Sequence, residues 1–243
     1  MPSPVKTPAR KPAPQSPKPR GKAKPARRLS LAERARIETL FARFAAAAPD
    51  PRTELRFSSP YTLVVAVALS AQATDKMVNR ATEKLFAVAD TPAAMVELGE
   101  AGLIPYIASI GLFRTKAKNV IALSRILIEQ YNGEVPLRRE ALQALPGVGR
   151  KTASVVLNEL DIEPAIAVDT HVFRVAHRLK LSDGKTPDQV EHDLTAIVPG
   201  PYLTRAHHWL ILHGRYVCVA RTPRCEICTV ADLCPSRALF VGA

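Results

Sequence analysis

From residue 31 onward the apolar residues of this chain recur at intervals of three and four, and no two adjacent segments alternate with a period of two. That pattern excludes a sheet-built core, because a half-buried strand needs strict alternation while a helix buries one stripe every 3.6 residues. Ile37, Leu40, Phe41 and Phe44 mark the first stripe, and Ser30 with Glu33 three residues on is a capping-box signature for its start. Further helices are expected over 61–73, 75–89, around Met95, over 116–131 with Val120, Leu123, Leu127 and Ile128 inward, and over 138–144. The breaks are short and carry turn residues: Thr91-Pro92, Gly111, Asn132-Gly133 and Asp183-Gly184. The expected fold class is all-α, with about ten helices.

The longest apolar run, 61–69, falls well short of the ~20 residues a helix needs to cross a bilayer, so an integral membrane protein is not expected. The first residues lack the apolar stretch of a secretory signal, which favours a reducing cytosol with its nucleoid, or a nucleus. A net charge of +12 calls for a polyanionic partner, most simply nucleic acid. Most of that charge sits in residues 1–30, where Lys6, Arg10, Lys11, Lys18, Arg20, Lys22, Lys24, Arg27 and Arg28 stand among eight prolines without an acidic residue. Such a segment lacks the apolar surface to order itself and is expected to be a disordered basic tail, either a solvated linker or an arm that tethers DNA without specificity.

Within the helical region, LQALPGVGRKTASVVLNEL (142–160) places two glycines, Gly147 and Gly149, in a tight turn before a helix whose inward face is Ala153, Val156, Leu157 and Leu160. Backbone N–H groups left unpaired there, together with the helix dipole, form an anion site; a plain helix–turn–helix corner with glycines for packing is the competing reading. Lys151 follows the turn, and Asp169 precedes another helical stripe, Val172, Val175, Ala176 and Leu179, as an N-cap. All four cysteines, Cys218, Cys225, Cys228 and Cys234, fall in one short stretch, CVARTPRCEICTVADLC. The C-x6-C-x2-C-x5-C spacing admits zinc or an iron–sulfur cluster; the single C-x2-C knuckle leans against zinc, and a reducing compartment leans against disulfides.

LPGVGRKTA resembles the helix-hairpin-helix element of the DNA glycosylase superfamily, and VDTHVFRVAHRL (168–179) is similar to the aspartate-bearing segment that follows it. With the cysteine stretch, LSAQATD (69–75), the glycine-leucine segment at 109–121 and HHWLILHGRYVC (207–218), the likeness is to the endonuclease III family of bifunctional DNA glycosylases and lyases. The resemblance implies a six-helix domain over 53–163 carrying the hairpin, and a discontinuous iron–sulfur domain from 31–52 and 164–243. It implies that a monomer acts on duplex DNA containing oxidised pyrimidines or abasic sites, with a 4Fe-4S cluster held by the four cysteines. Lys151 would be the nucleophile that ends as a Schiff base, a role for which lysine is the usual side chain. Its amine must be unprotonated to attack, and the positive end of a helix dipole disfavours the ammonium form. Asp169 would assist it and stabilise the cationic sugar.

Gln72 would enter the space left by the extruded nucleotide, and Leu112 would wedge between bases. Gly147 and Gly149 would contact a phosphate, as would Arg221 and Arg224 in the loop anchored by the first two cysteines. His171 is a weaker candidate. Taken singly, each has a plainer reading: Lys151 as a phosphate ligand, Gln72 as a polar residue near a helix end, Leu112 as core. Adenine glycosylases share the hairpin, aspartate and cluster but lack the lysine and add a C-terminal domain; a non-catalytic DNA-binding module would need neither Lys151 nor Asp169.

Overall fold

The computed structural model describes residues 29–241, so the basic tail lies almost wholly outside the described residues. Ten α-helices account for the order: α1 Leu31–Ala47, α2 Pro60–Leu69, α3 Asp75–Phe86, α4 Pro92–Ile107, α5 Phe113–Tyr131, α6 Arg139–Gln143, α7 Arg150–Glu159, α8 Thr170–Arg178, α9 Pro187–Ile197 and α10 Leu203–Tyr216. Short 3-10 turns complete the C-terminal loop, and no strand occurs among the described residues.

Local chemistry sets most of the starts. Ser30 and Glu33 form the reciprocal capping box, with the Glu33 N–H donating to Ser30 Oγ at 3.2 Å and the Ser30 N–H donating to Glu33 Oε2 at 2.9 Å. Ser59-Pro60, Thr91-Pro92 and Thr186-Pro187 each put a hydroxyl cap before a proline whose missing N–H is no loss in a first turn. Thr91-Pro92, read above as a break, is thus a helix start. At its far end α5 stops at Asn132 and Gly133, both in left-handed conformations, where the Gly133 N–H donates to the Leu127 carbonyl at 2.8 Å.

Two cores result. The larger forms around α2, whose residues 61–69 are all buried, as expected of a helix apolar on every side. Helices α3 to α7 pack about it with Met95, Leu103, Ile107, Leu123 and Val156. In the smaller core, Phe41 and Phe44 of α1 meet Val172 and Val175 of α8, Leu194 of α9, and Trp209 and Leu210 of α10. Cys218, Cys228 and Cys234 pack against its edge.

Several boundaries differ from the sequence expectation. Helix α2 ends at Leu69 rather than at 73, because Gln72 takes a left-handed φ of 58° that no helix accommodates. Helix α3 ends at Phe86 rather than at 89, and α5 begins at Phe113, before its expected start at 116. Ile128, expected inward, is 40% exposed, since the buried stripe of α5 runs through Lys116, Val120, Ser124 and Leu127 instead.

Candidate active site and cysteine cradle

The turn between α6 and α7 explains its two glycines differently. Gly147 has φ +78°, and a Cβ there would lie 3.0 Å from the Asn119 side chain, so a larger residue would be strained in conformation and would press on Asn119. Gly149 is the N-cap of α7 and offers no side chain to the first N–H groups, while a Cβ built there meets nothing within 4 Å. Packing therefore does not require glycine at 149; its effect is to leave bare backbone donors at the positive end of α7, facing open space.

Lys151, in the first turn of α7, is half exposed, and its Nζ lies 3.9 Å from Asp169 Oδ2. Asp169 divides its two oxygens. Oδ1 accepts from the His171 and Val172 N–H groups at 2.9 and 2.8 Å and so caps α8, which leaves Oδ2 to face the amine. The two residues come from opposite cores, and their approach depends on how α7 sits against the second. Arg150 helps fix this by pairing with Asp188 and Glu191 of α9, each at 3.0 Å.

Beneath the pair lies a buried group that the sequence reading did not single out. Glu159 Oε2 meets His208 Nε2 at 2.8 Å, and His207 packs edge-on to His208. Burial, then the neighbouring His208 and the charge of Lys151, push the His207 imidazole down to about 3. His171, the weaker candidate, keeps Nδ1 3.2 Å from Arg174 Nη2, and Arg174 also donates to the Gly214 and Cys218 carbonyls. Beside His171 opens a polar cavity of about 860 Å³ whose walls include Glu54, Asp75, Asn79, Arg215 and Tyr216. Arg215 bridges Glu54 and Asp75 there and ties α10 to α3.

Gln72 and Leu112 occupy neighbouring loops, and a Cβ at Gly111 would lie 3.9 Å from the Gln72 carbonyl oxygen. Leu112 is 63% exposed with φ +60°, which excludes the core-leucine reading and marks a strained, outward side chain. Lys116, in the quoted 109–121 segment but not singled out, is buried between these loops. Its position four residues before Val120, on the buried stripe of α5, is the signal that exposes it.

The four cysteines are free and line one cavity with Arg178, His213 and Phe240. Burial first, and then the other cysteines, push the Cys228 and Cys234 thiols up, so a set of thiolates here needs metal charge among them. Among the described residues no three His, Cys, Asp or Glu side chains converge closely enough for a single ion. Four thiols around one cavity are nonetheless a donor set that suits an iron–sulfur cluster or zinc. Arg178 Nη1 donates to Cys218 Sγ at 3.4 Å and to the Val219 carbonyl at 2.8 Å, and Cys228 Sγ lies 3.8 Å from His213 Nε2. Arg221 and Arg224 are both exposed on the loop between Cys218 and Cys225.

Residues 65–200 match the family model of HhH-GPD superfamily base excision DNA repair proteins, and 218–234 match the iron-sulfur binding domain of endonuclease III. Endonuclease III of Escherichia coli (strain K12) is 60% identical over 186 residues, covering 76% of this chain and 88% of that protein. For endonuclease III of Rickettsia conorii the figures are 57% over 198 residues, 82% and 94%. The solved structure of a trapped endonuclease III–DNA covalent intermediate aligns with a TM-score of 0.79 at 42% identity, over 85% of this chain and 97% of that one. A thermostable thymine-DNA glycosylase, at 22% identity and a TM-score of 0.76, shares the fold.

Proposed function

Because this chain belongs to the endonuclease III family of HhH-GPD base excision repair proteins, we propose that Lys151 is its nucleophile and Asp169 the carboxylate that serves it. The enzyme is a DNA glycosylase and abasic-site lyase that uses a 4Fe-4S cluster. The observation that carries the residue assignment is the approach of Lys151 Nζ to 3.9 Å from the free oxygen of Asp169, beside bare helix N–H donors.

The chemistry follows from that placement. Once the target nucleotide is turned out of the duplex, the Lys151 amine, having given up its proton, attacks the sugar carbon that bears the base. The base departs with the bonding electron pair. Asp169, held by its cap, places negative charge beside the sugar carbon as positive charge develops, without having to reorganise. The ring oxygen then leaves that carbon and takes up a proton, which opens the sugar and turns the lysine adduct into a Schiff base; this acidifies the neighbouring C–H, whose loss expels the 3′ phosphate by β-elimination. Gly149 and the first N–H groups of α7 hold a backbone phosphate, Gly147 shapes the turn, and Arg221 and Arg224 grip the same strand or its complement. Gln72 and Leu112 occupy the vacated stack.

Cys218, Cys225, Cys228 and Cys234 would hold the cluster, which supplies a rigid anchor for the 218–225 loop. We assign 53–163 to one domain, and 31–52 with 164–243 to the other; the two separate cores support this division. The polar cavity beside His171 supports oxidised, hydroxyl-bearing pyrimidines as the excised bases, and we take the acting form of the protein to be a monomer. No helix among the described residues is long and apolar enough to cross a membrane.

The test is borohydride trapping on a duplex containing thymine glycol. The cluster-loaded protein is expected to give a covalent adduct that Lys151→Ala abolishes. A protein that binds this duplex but traps nothing would overturn the assignment and make Lys151 a phosphate ligand.

A further inference from the structure

Lys116 is buried to 7% exposure in the first turn of α5, and burial pushes its ammonium down. Its Nζ donates to the Leu69 carbonyl at 2.9 Å and to the Ala71 carbonyl at 2.6 Å, and among the described residues no carboxylate pairs with it. Those acceptors belong to the C-terminus of α2, where carbonyls lack helical partners and the dipole favours a cation. An unpaired lysine in a core is costly, and an apolar residue would fill the stripe at less cost. What distinguishes the site is its neighbours: Ala71 adjoins Gln72, and the Lys116 backbone N–H donates to the Leu112 carbonyl at 3.0 Å. One residue thus bonds the residue before Gln72 by its side chain and Leu112 by its main chain, and Gln72 and Leu112 both take left-handed conformations near +60°.

We propose that Lys116 is a positioning residue that fixes the separation of the two inserting side chains, so that Gln72 and Leu112 enter the duplex as one rigid unit. The inference rests on the assignment of Gln72 and Leu112 to the vacated stack. Without the clamp, the strained φ of Gln72 relaxes and the spacing of its loop from the Leu112 loop is no longer fixed. The energy for opening the stack then has to be found at each binding event, rather than being prepared in the fold.

The experiment compares the lyase rate on an abasic site in an intact duplex with the rate on the same site opposite a one-nucleotide gap, where no orphan base remains to be met. Lys116→Met, which keeps the volume and removes the donors, is expected to lower the duplex rate at least tenfold and the gapped rate less than threefold. Its cluster absorption and its affinity for undamaged duplex should stay at wild-type levels, and a 2-aminopurine opposite the site should lose its fluorescence response. If Lys116→Met does not fold, Lys116→Gln, which retains a shorter donor, carries the same comparison with a smaller loss. Equal losses on both substrates would make Lys116 a general support, and no loss on either would make the clamp dispensable; each overturns the proposal. The Gln72→Ala/Leu112→Ala double variant separates the two layers. If it shows no duplex-specific loss, the assignment of the inserting residues fails; if it shows one while Lys116→Met does not, only the clamp fails.

Discussion

The two halves of this molecule hold themselves together by different means. Around α2 the core is almost wholly aliphatic and closes on itself, with each buried valine or leucine worth roughly 1.5–3 kcal/mol relative to exposure. Around α10 the core is smaller, leans on aromatic contacts among Phe41, Tyr202 and Trp209, and reaches its edge at three thiols that only a bound group can convert into ligands. A compact region short of apolar burial commonly recruits a metal to complete it. The proposed catalytic pair lies where the self-sufficient half meets the dependent one, with Lys151 supplied by the first and Asp169 by the second.

The largest effect that would test this contrast is loss of the cluster. Cys225→Ser is expected to abolish visible iron–sulfur absorption and to remove on the order of 10 kcal/mol of binding-linked folding energy from one half only. Hydrogen exchange should then accelerate in α1, α8, α9 and α10, while α2 and α5 keep their protection; uniform acceleration would erase the distinction. Next in size are cavities. Phe41→Ala and Leu123→Ala each remove a fully buried side chain and should cost about 3–5 kcal/mol by denaturant unfolding. Phe41→Ala should also quicken cluster loss in air, whereas Leu123→Ala should not.

The seam between the halves makes a smaller contribution with a definite sign. His207 is held neutral when folded, down at about 3, against an ordinary value near 6.5. As pH falls below ~6.5 the unfolded chain binds the proton first, so stability is fully present above that value and is lost toward pH 3, by up to about 1.4 kcal/mol per unit. His207→Gln should flatten that slope in chemical unfolding measured at pH 6.5 and pH 4.5. The smallest expected stability effect belongs to Asp169. Asp169→Asn keeps the cap acceptor and should change stability by less than ~1 kcal/mol, yet slow turnover at least ~100-fold in single-turnover assays. Turnover that survives this change would reduce Asp169 to a cap.

Much of this was legible in the chain itself. The 3.6-residue period and the Ser30–Glu33 box are local devices whose outcome depends on residues a few positions apart, so most of the helices could be read before any packing was known, although the start at Thr91-Pro92 passed for a break. The cysteine spacing likewise leaned toward a common metal ligand, and the glycine turn admitted bare backbone donors beside the plainer reading of a helix–turn–helix corner. Less legible was everything that depends on which helix lies against which. Gln72 and Leu112 carry no period that announces a left-handed φ, and nothing singled out Lys116 until α2 was seen to end against it. Glu159, His207 and His208 are scattered polar residues in sequence and one buried cluster in space.

By itself, then, the sequence determined most of the helices, several of their caps and the thiol set, since each is settled by neighbours along the chain. Only the tertiary structure decided that Lys151 faces Asp169 at 3.9 Å, that Lys116 ties two strained loops together, and that one core closes without a ligand while the other keeps an edge of thiols. The reason is physical: hydrogen bonds and periodicity act over a turn of helix, whereas the meeting of distant side chains depends on how close-packed helices share one interior.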